Sequence, residues 1–212
     1  MATTDTIIEK PASAPEKPAA VPVWDPFVRL FHWSLVFAVA VAAVTGFLMG
    51  APWISLHAWA GTAMAALVVA RIVWGFSGGA YARFSSFVAG PRALIAHLRG
   101  IVSGEEGRHL GHNPAGGLMI VALMAVALVL AVTGAVALGG MLKIGPLASV
   151  ADFAAGLGAR EVHELLAWAL LGLVGLHVAG AVFEGLRTRD NLVRAMVTGS
   201  KEARPGDHAA PM

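Results

Sequence analysis

Apolar positions in this chain gather into four long runs, separated by two short polar breaks and one long one. Leu30 to Met49 is almost free of charge. As an α-helix it would rise about 30 Å, the thickness of a bilayer core. Ala51-Pro52-Trp53 marks a turn. The second run, His57 to Phe76, is interrupted only by Arg71, close enough to its end for the guanidinium to snorkel toward headgroups. Ala115 to Leu138 contains no ionisable residue, and Val162 to Phe183 is the fourth run, reached through a loop with Lys143, Pro146, Asp152 and Arg160. The pattern predicts an all-α protein, an integral membrane four-helix bundle with spans at about 30–49, 57–76, 115–138 and 162–183.

The long break, Ser77 to Pro114, holds PRALIAHLRGIV, with apolar residues at helical spacing and Arg and His opposite them. This predicts an amphipathic helix lying flat on the membrane surface. Residues 1–22 are rich in Ala, Pro, Thr, Glu and Lys and lack the apolar core of a cleaved signal peptide. They read as a disordered cytoplasmic tail. Residues 23–199 form the bundle domain, and 200–212 read as a flexible C-terminal tail.

Composition strengthens the membrane reading: 57% hydrophobic residues, 13% charged residues and a mean hydropathy of +0.72 exclude an ordinary soluble domain. The pI of about 9.4 does not point to nucleic acid, because the basic residues flank apolar runs instead of forming a patch interleaved with aromatics. Their distribution sets orientation. Twelve Lys/Arg, among them Lys10, Arg29, Arg83, Arg92, Arg99, Arg108, Arg187 and Lys201, fall on the side of both termini and the 77–114 loop, against Lys143 and Arg160 on the other. The positive-inside rule then puts both termini in the cytoplasm.

Four histidines carry the candidate chemistry. Up-down alternation places His32 and His177 at one depth near the inner side, and His57 and His163 at another near the outer side. His163 and His177 share roughly one face of the last helix, about 21 Å apart. An ionisable group well inside a span, as His177 is, is costly and functional by default. Two matched pairs at two depths suit two six-coordinate irons, each haem clamped between imidazoles of different helices. Gly46, Gly61, Gly172, Gly175 and Gly180 would let a flat macrocycle approach the backbone. With no cysteine in the chain, thiolate sites and the C-x-x-C-H attachment are excluded, so any haem is held non-covalently. Zinc fits these four poorly, since it wants ligands drawn together and His163-Glu164 does not open an H-E-x-x-H.

Arg29 lies three residues before His32, on the same helix face, and could pair with a haem propionate; Arg71, also near the inner side, could do the same. Membrane anchoring is the competing reading for both. Trp24, Trp33, Trp53, Trp59, Trp74 and Trp168 read as belt or packing residues. His109 and His112 read as solvated loop residues ahead of the third span, with a quinone head group as the functional alternative. His97 reads as the polar face of a surface helix, and His208 as part of the tail.

The motifs VWDPFVRLFHW (Val23 to Trp33), HAWAGTAMAALVVARIVWGF (His57 to Phe76), GHNPAGG (Gly111 to Gly117) and VHELLAWALLGLVGLHVAG occur in this order. The chain thereby resembles, over about residues 22 to 199, the bacterial cytochrome b561 and nickel-hydrogenase cytochrome b family. The resemblance implies a bacterial inner-membrane di-haem b cytochrome with ligands at His32, His57, His163 and His177. It also implies electron transfer between the quinone pool and a protein partner: a hydrogenase, another dehydrogenase or a c-type cytochrome. A second expectation is a superoxide:quinone oxidoreductase acting alone, with Lys143 and Arg160 steering the anion. A non-redox membrane anchor or transporter is the third, against which stand the paired histidines and the lack of an internal repeat.

Overall fold

A computed structural model describes residues 19–209 as six α-helices and one two-stranded antiparallel sheet. Of the tail expected at 1–22, residues 1–18 lie outside the described residues, as do 210–212, while Ala20–Pro22 forms a strand instead of running free. Four apolar helical segments, Pro26–Met49, Ala51–Ser77, Pro114–Leu142 and Phe153–Thr188, are long enough to cross a bilayer, as the hydropathy pattern predicts.

Each long helix starts where its local chemistry dictates. In α1 (Pro26–Val44), Asp25 Oδ1 accepts from Val28 N at 2.8 Å, and Pro26 occupies the first turn, where its missing N–H costs nothing. Residues Thr45–Met49 extend it as a π-helical turn. After a 3-10 turn, α2 runs Ile54–Ser77. The connecting helix α3 (Pro91–Ser103) stops at Gly104, whose φ of 75° gives the left-handed cap that glycine adopts without strain. Asn113 caps α4 (Pro114–Ala137), accepting from Gly116 N at 2.8 Å. Asp152 caps α5 (Phe153–Thr188), accepting from Ala155 N at 2.7 Å.

That last cap corrects one expectation. The fourth helix begins at Phe153 instead of about 162, so Arg160 lies on the helix and His163 sits several turns inside it. Its 36 residues rise about 54 Å, so the rod overhangs an apolar core of about 30 Å.

In the bundle α1 packs on α2, α2 on α4, and α4 most extensively on α5, while α5 forms no comparable backbone packing against α1 or α2. A mid-height apolar layer joins all four rods through Ala38, Met64, Val68, Met124, Ala127, Leu130 and Leu170. The end bearing both strands, α3 and α6 (Leu192–Thr198) is called basal below, and the opposite end distal.

At the basal end the C-terminal segment differs from the free tail expected after residue 199. Strand β1 (Ala20–Pro22) pairs with β2 (Ser200–Glu202), and Lys201 is buried. Arg108 reaches across to Asp190 and Asp207, both at 2.7 Å. The physical reason is charge: a nearly buried guanidinium gathers two carboxylates and fixes the segment between them. Helix α3 is amphipathic as expected, with Ile95, Leu98 and Val102 turned outward, but its His97 faces the protein and is 2% exposed, contrary to the surface reading.

Candidate cofactor site

The distal pair is built twice from the same parts. His57 Nδ1 donates to the carbonyl of Ala42 at 2.9 Å, with Thr45 Oγ1 at 3.3 Å; Thr45 itself donates to Val41 O at 2.6 Å. His163 Nδ1 donates to the carbonyl of Leu130 at 2.9 Å, with Thr133 Oγ1 at 3.2 Å; Thr133 donates to Val129 O at 2.9 Å. In both cases a glycine follows the threonine and the ring rests on it. A Cβ on Gly46 would stand 2.9 Å from His57 Cε1, and one on Gly134 would stand 3.1 Å from His163 Cε1. The four residues Ala-Val-Thr-Gly occur at 43–46 and again at 131–134. This short repeat is one that the spans' overall lack of repetition had hidden.

Committing Nδ1 to a carbonyl fixes the tautomer and leaves Nε2 of each ring free, the arrangement typical of metal-ligating imidazoles. The two rings lie 6.0 Å apart at an interplanar angle of 73°. A metal bound by each nitrogen at about 2 Å sets ring centroids roughly 6 Å apart. The distal ring separation is the one that two imidazoles sharing a six-coordinate haem iron would need.

The basal pair is looser. His32 makes its ring contact with Trp33, edge-on at 5.0 Å, and not with His177. His32 Nδ1 is buried without a hydrogen-bond partner. Beside it are further unpaired groups. Arg71 is 2% exposed; its Nη2 donates to Ala82 O at 2.9 Å, its plane lies over Phe84 and Phe87, and Nη1 has no partner. Arg29 Nη2 donates to the carbonyl of Val197, tying α1 to α6, and its Nε is unpaired.

His112 joins this group: it lies in the loop ahead of α4 as expected, but its packing corrects the solvated reading. Its ring is packed between Trp24 at 4.5 Å and Phe87 at 5.0 Å, with Nδ1 unpaired. Burial pushes it down to about 3, helped by the positive charge of Arg71 and Lys201. Asp25 offsets part of the Arg71 charge, but its oxygens are already committed to Val28 N and Trp74 Nε1. Buried nitrogens left unpaired around a buried guanidinium call for an acceptor, and carboxylate is the group that such a set binds best. Propionate chemistry fits here. Added Cβ atoms on Gly61, Gly172, Gly175 and Gly180 would meet nothing within 4 Å, so open space lies beside them.

Other expected positions fall out as follows. Trp24 is buried and Trp74 donates to Asp25 at 2.9 Å, so both pack. Trp33, Trp53, Trp59 and Trp168 stay exposed on the spans. His208 stacks on His109 at 4.9 Å instead of trailing in a tail. Sequence reasoning missed Thr45 and Thr133; the duplicated Ala-Val-Thr-Gly was the signal that could have found them.

Four apolar rods, two imidazoles meeting between α2 and α5, and a basal nest of unpaired donors define a cofactor-holding multi-pass membrane bundle. The chain belongs to the prokaryotic cytochrome b561 family, whose model matches residues 23–199, and is thus a b-type membrane cytochrome of electron transfer. Its relatives include the "Probable Ni/Fe-hydrogenase B-type cytochrome subunit" of Azotobacter chroococcum, 28% identical over 86% of this chain and 89% of the relative. The protein of the same description from Bradyrhizobium diazoefficiens is 25% identical over 86% of each chain. The "Probable Ni/Fe-hydrogenase 1 B-type cytochrome subunit" of Escherichia coli is 24% identical over 87% of this chain and 92% of its own length.

Proposed function

We propose that this chain carries two haem b groups, one between His57 and His163 and one between His32 and His177, and passes electrons between membrane quinone and a protein partner. The relatives' names favour a hydrogenase as that partner. The positive charge around both termini favours a cytoplasmic basal end in the bacterial inner membrane, with lipid around the rods. When bound, the haems supply one-electron redox chemistry. The protein's own contribution is positional. Ala42, Thr45, Leu130 and Thr133 hold the distal rings by Nδ1, while Gly46 and Gly134 set how close those rings come. Arg71, and to a lesser degree Arg29, offer nitrogens to propionates at the basal end.

The observation that carries this reading is the 6.0 Å approach of His57 to His163 with both Nδ1 atoms already committed. A redox titration of purified protein should resolve two b-type components, with His163→Ala and His177→Ala each removing a different one. Retention of both components in His177→Ala would refute the basal pair. The superoxide reading draws no support from Lys143, whose ammonium turns back onto Ala151 O at 2.7 Å.

A further inference from the structure

A second cluster of ligand-type side chains lies outside the bundle core, on the basal face. His97 of α3 and Glu106 and His109 of the following loop bring their ligand atoms within 4.8 Å of one another. His97 Nδ1 stands 2.8 Å and His109 Nε2 2.9 Å from the same carboxylate oxygen, Glu106 Oε1. We propose that His97, Glu106 and His109 form a binding site for a divalent transition cation of the zinc class, with a fourth position open to solvent. The proposal stands apart from the haem reading, since none of the three residues belongs to either histidine pair.

Two imidazoles and one carboxylate are a donor set that zinc takes in three-ligand sites. Tetrahedral ligands at about 2.0–2.1 Å from a metal stand about 3.3 Å from each other, so each N–O separation here has to open by only about half an ångström. A neutral imidazole binds through one nitrogen when its hydrogen sits on the other. Nε2 of His97, buried and without any partner, is free to take that hydrogen.

The backbone around the cluster is fixed beforehand. Glu105 N and Glu106 N both donate to Gly100 O, at 3.0 and 3.1 Å, and Arg187 donates to the carbonyls of Glu106 and Gly107. Gly100 clears the way for the carboxylate, because a Cβ there would lie 2.6 Å from Glu106 Oε2. Burial of His97 closes the site on one side, while Glu106 and His109 keep 16% and 20% exposure and give a cation its entrance. Desolvation works to raise Glu106, but hydrogen bonds from His109 and His97 outweigh it and hold the carboxyl below its usual range, while burial holds the His109 imidazole below its own against the bond to Glu106.

The test uses untagged full-length protein in detergent, stripped with chelator and titrated with zinc chloride against a chromophoric competitor. One equivalent should bind, and Glu106→Gln and His109→Asn should each weaken it on the order of 100-fold, with the b-type spectrum unchanged as the sign of an intact fold. If His109→Asn fails to fold, Glu106→Gln, which keeps the shape and an acceptor oxygen, carries the test alone. Absence of a stoichiometric equivalent in the wild type, or affinity unaltered in Glu106→Gln, overturns the proposal.

Discussion

Replacing Gly134 by alanine puts a methyl group where the ring of His163 now rests. The new Cβ would lie 3.1 Å from Cε1 and 3.3 Å from Nδ1 of that ring. Carbon atoms at rest stand about 3.5–4.0 Å apart, so the ring must retreat by about half an ångström. It would do so while held at 2.9 Å by the carbonyl of Leu130. A metal–imidazole bond tolerates a displacement of only about 0.2 Å, so the distal centre should be weakened or lost while the basal one persists. Gly46→Ala is the more severe version, at 2.9 Å from His57 Cε1. The fold itself should survive both, because overpacking costs about 1–3 kcal/mol and the helix gains about 1 kcal/mol from exchanging glycine for alanine. Gly158→Ala, where nothing lies within 4 Å, is the control. The assay is the reduced-minus-oxidised spectrum resolved by potential. Gly46→Ala and Gly134→Ala should lose the same component, and Gly158→Ala should lose none. If both ring-side variants keep two components at wild-type potentials, the glycines do not set the imidazole positions and the reasoning fails.

Three further outcomes follow from the basal end. His112 is held neutral at about 3 against an ordinary 6.5, so the unfolded chain takes up the proton first and stability falls as pH drops below about 6.5. Relative to wild type, His112→Gln should gain about 2 kcal/mol between pH 7 and pH 5, read from thermal unfolding at each pH. Arg108→Met removes the guanidinium that joins Asp190 to Asp207 but leaves both in contact with Arg204, and should cost about 2 kcal/mol, with limited proteolysis cutting the C-terminal segment first. Asp25→Ala removes both the α1 cap and the acceptor for Trp74 Nε1 and should cost about 1–2 kcal/mol in unfolding free energy.

The parts of this protein that were legible in sequence are those written locally. Long apolar runs fix the four spans, and alternation of direction alone sets His57 and His163 at one depth, where their rings lie 6.0 Å apart. The start of α5 was misplaced because the nine residues after Asp152 are less apolar than the span they lead into, so hydropathy marks the membrane and the cap marks the helix. The basal architecture was hidden for a different reason. Arg108 meets partners 82 and 99 residues away, and His112 is covered by Trp24 and Phe87, and no periodicity along the chain encodes such meetings. Thr45 and Thr133 lie between these cases, since the repeated tetrapeptide was visible but its meaning needed the ring of the crossing helix.

The layer at mid-height has a consequence for energy conservation. Leu170 lies midway along α5 between His163 and His177, and it packs with Met64, Val68 and Met124 into one apolar layer. Saturated carbon gives hydrated ions and proton chains no polar footing, whereas electrons tunnel through it without one. If each histidine pair holds a haem, as proposed above, redox traffic crosses this layer without opening a path for ions across the membrane voltage.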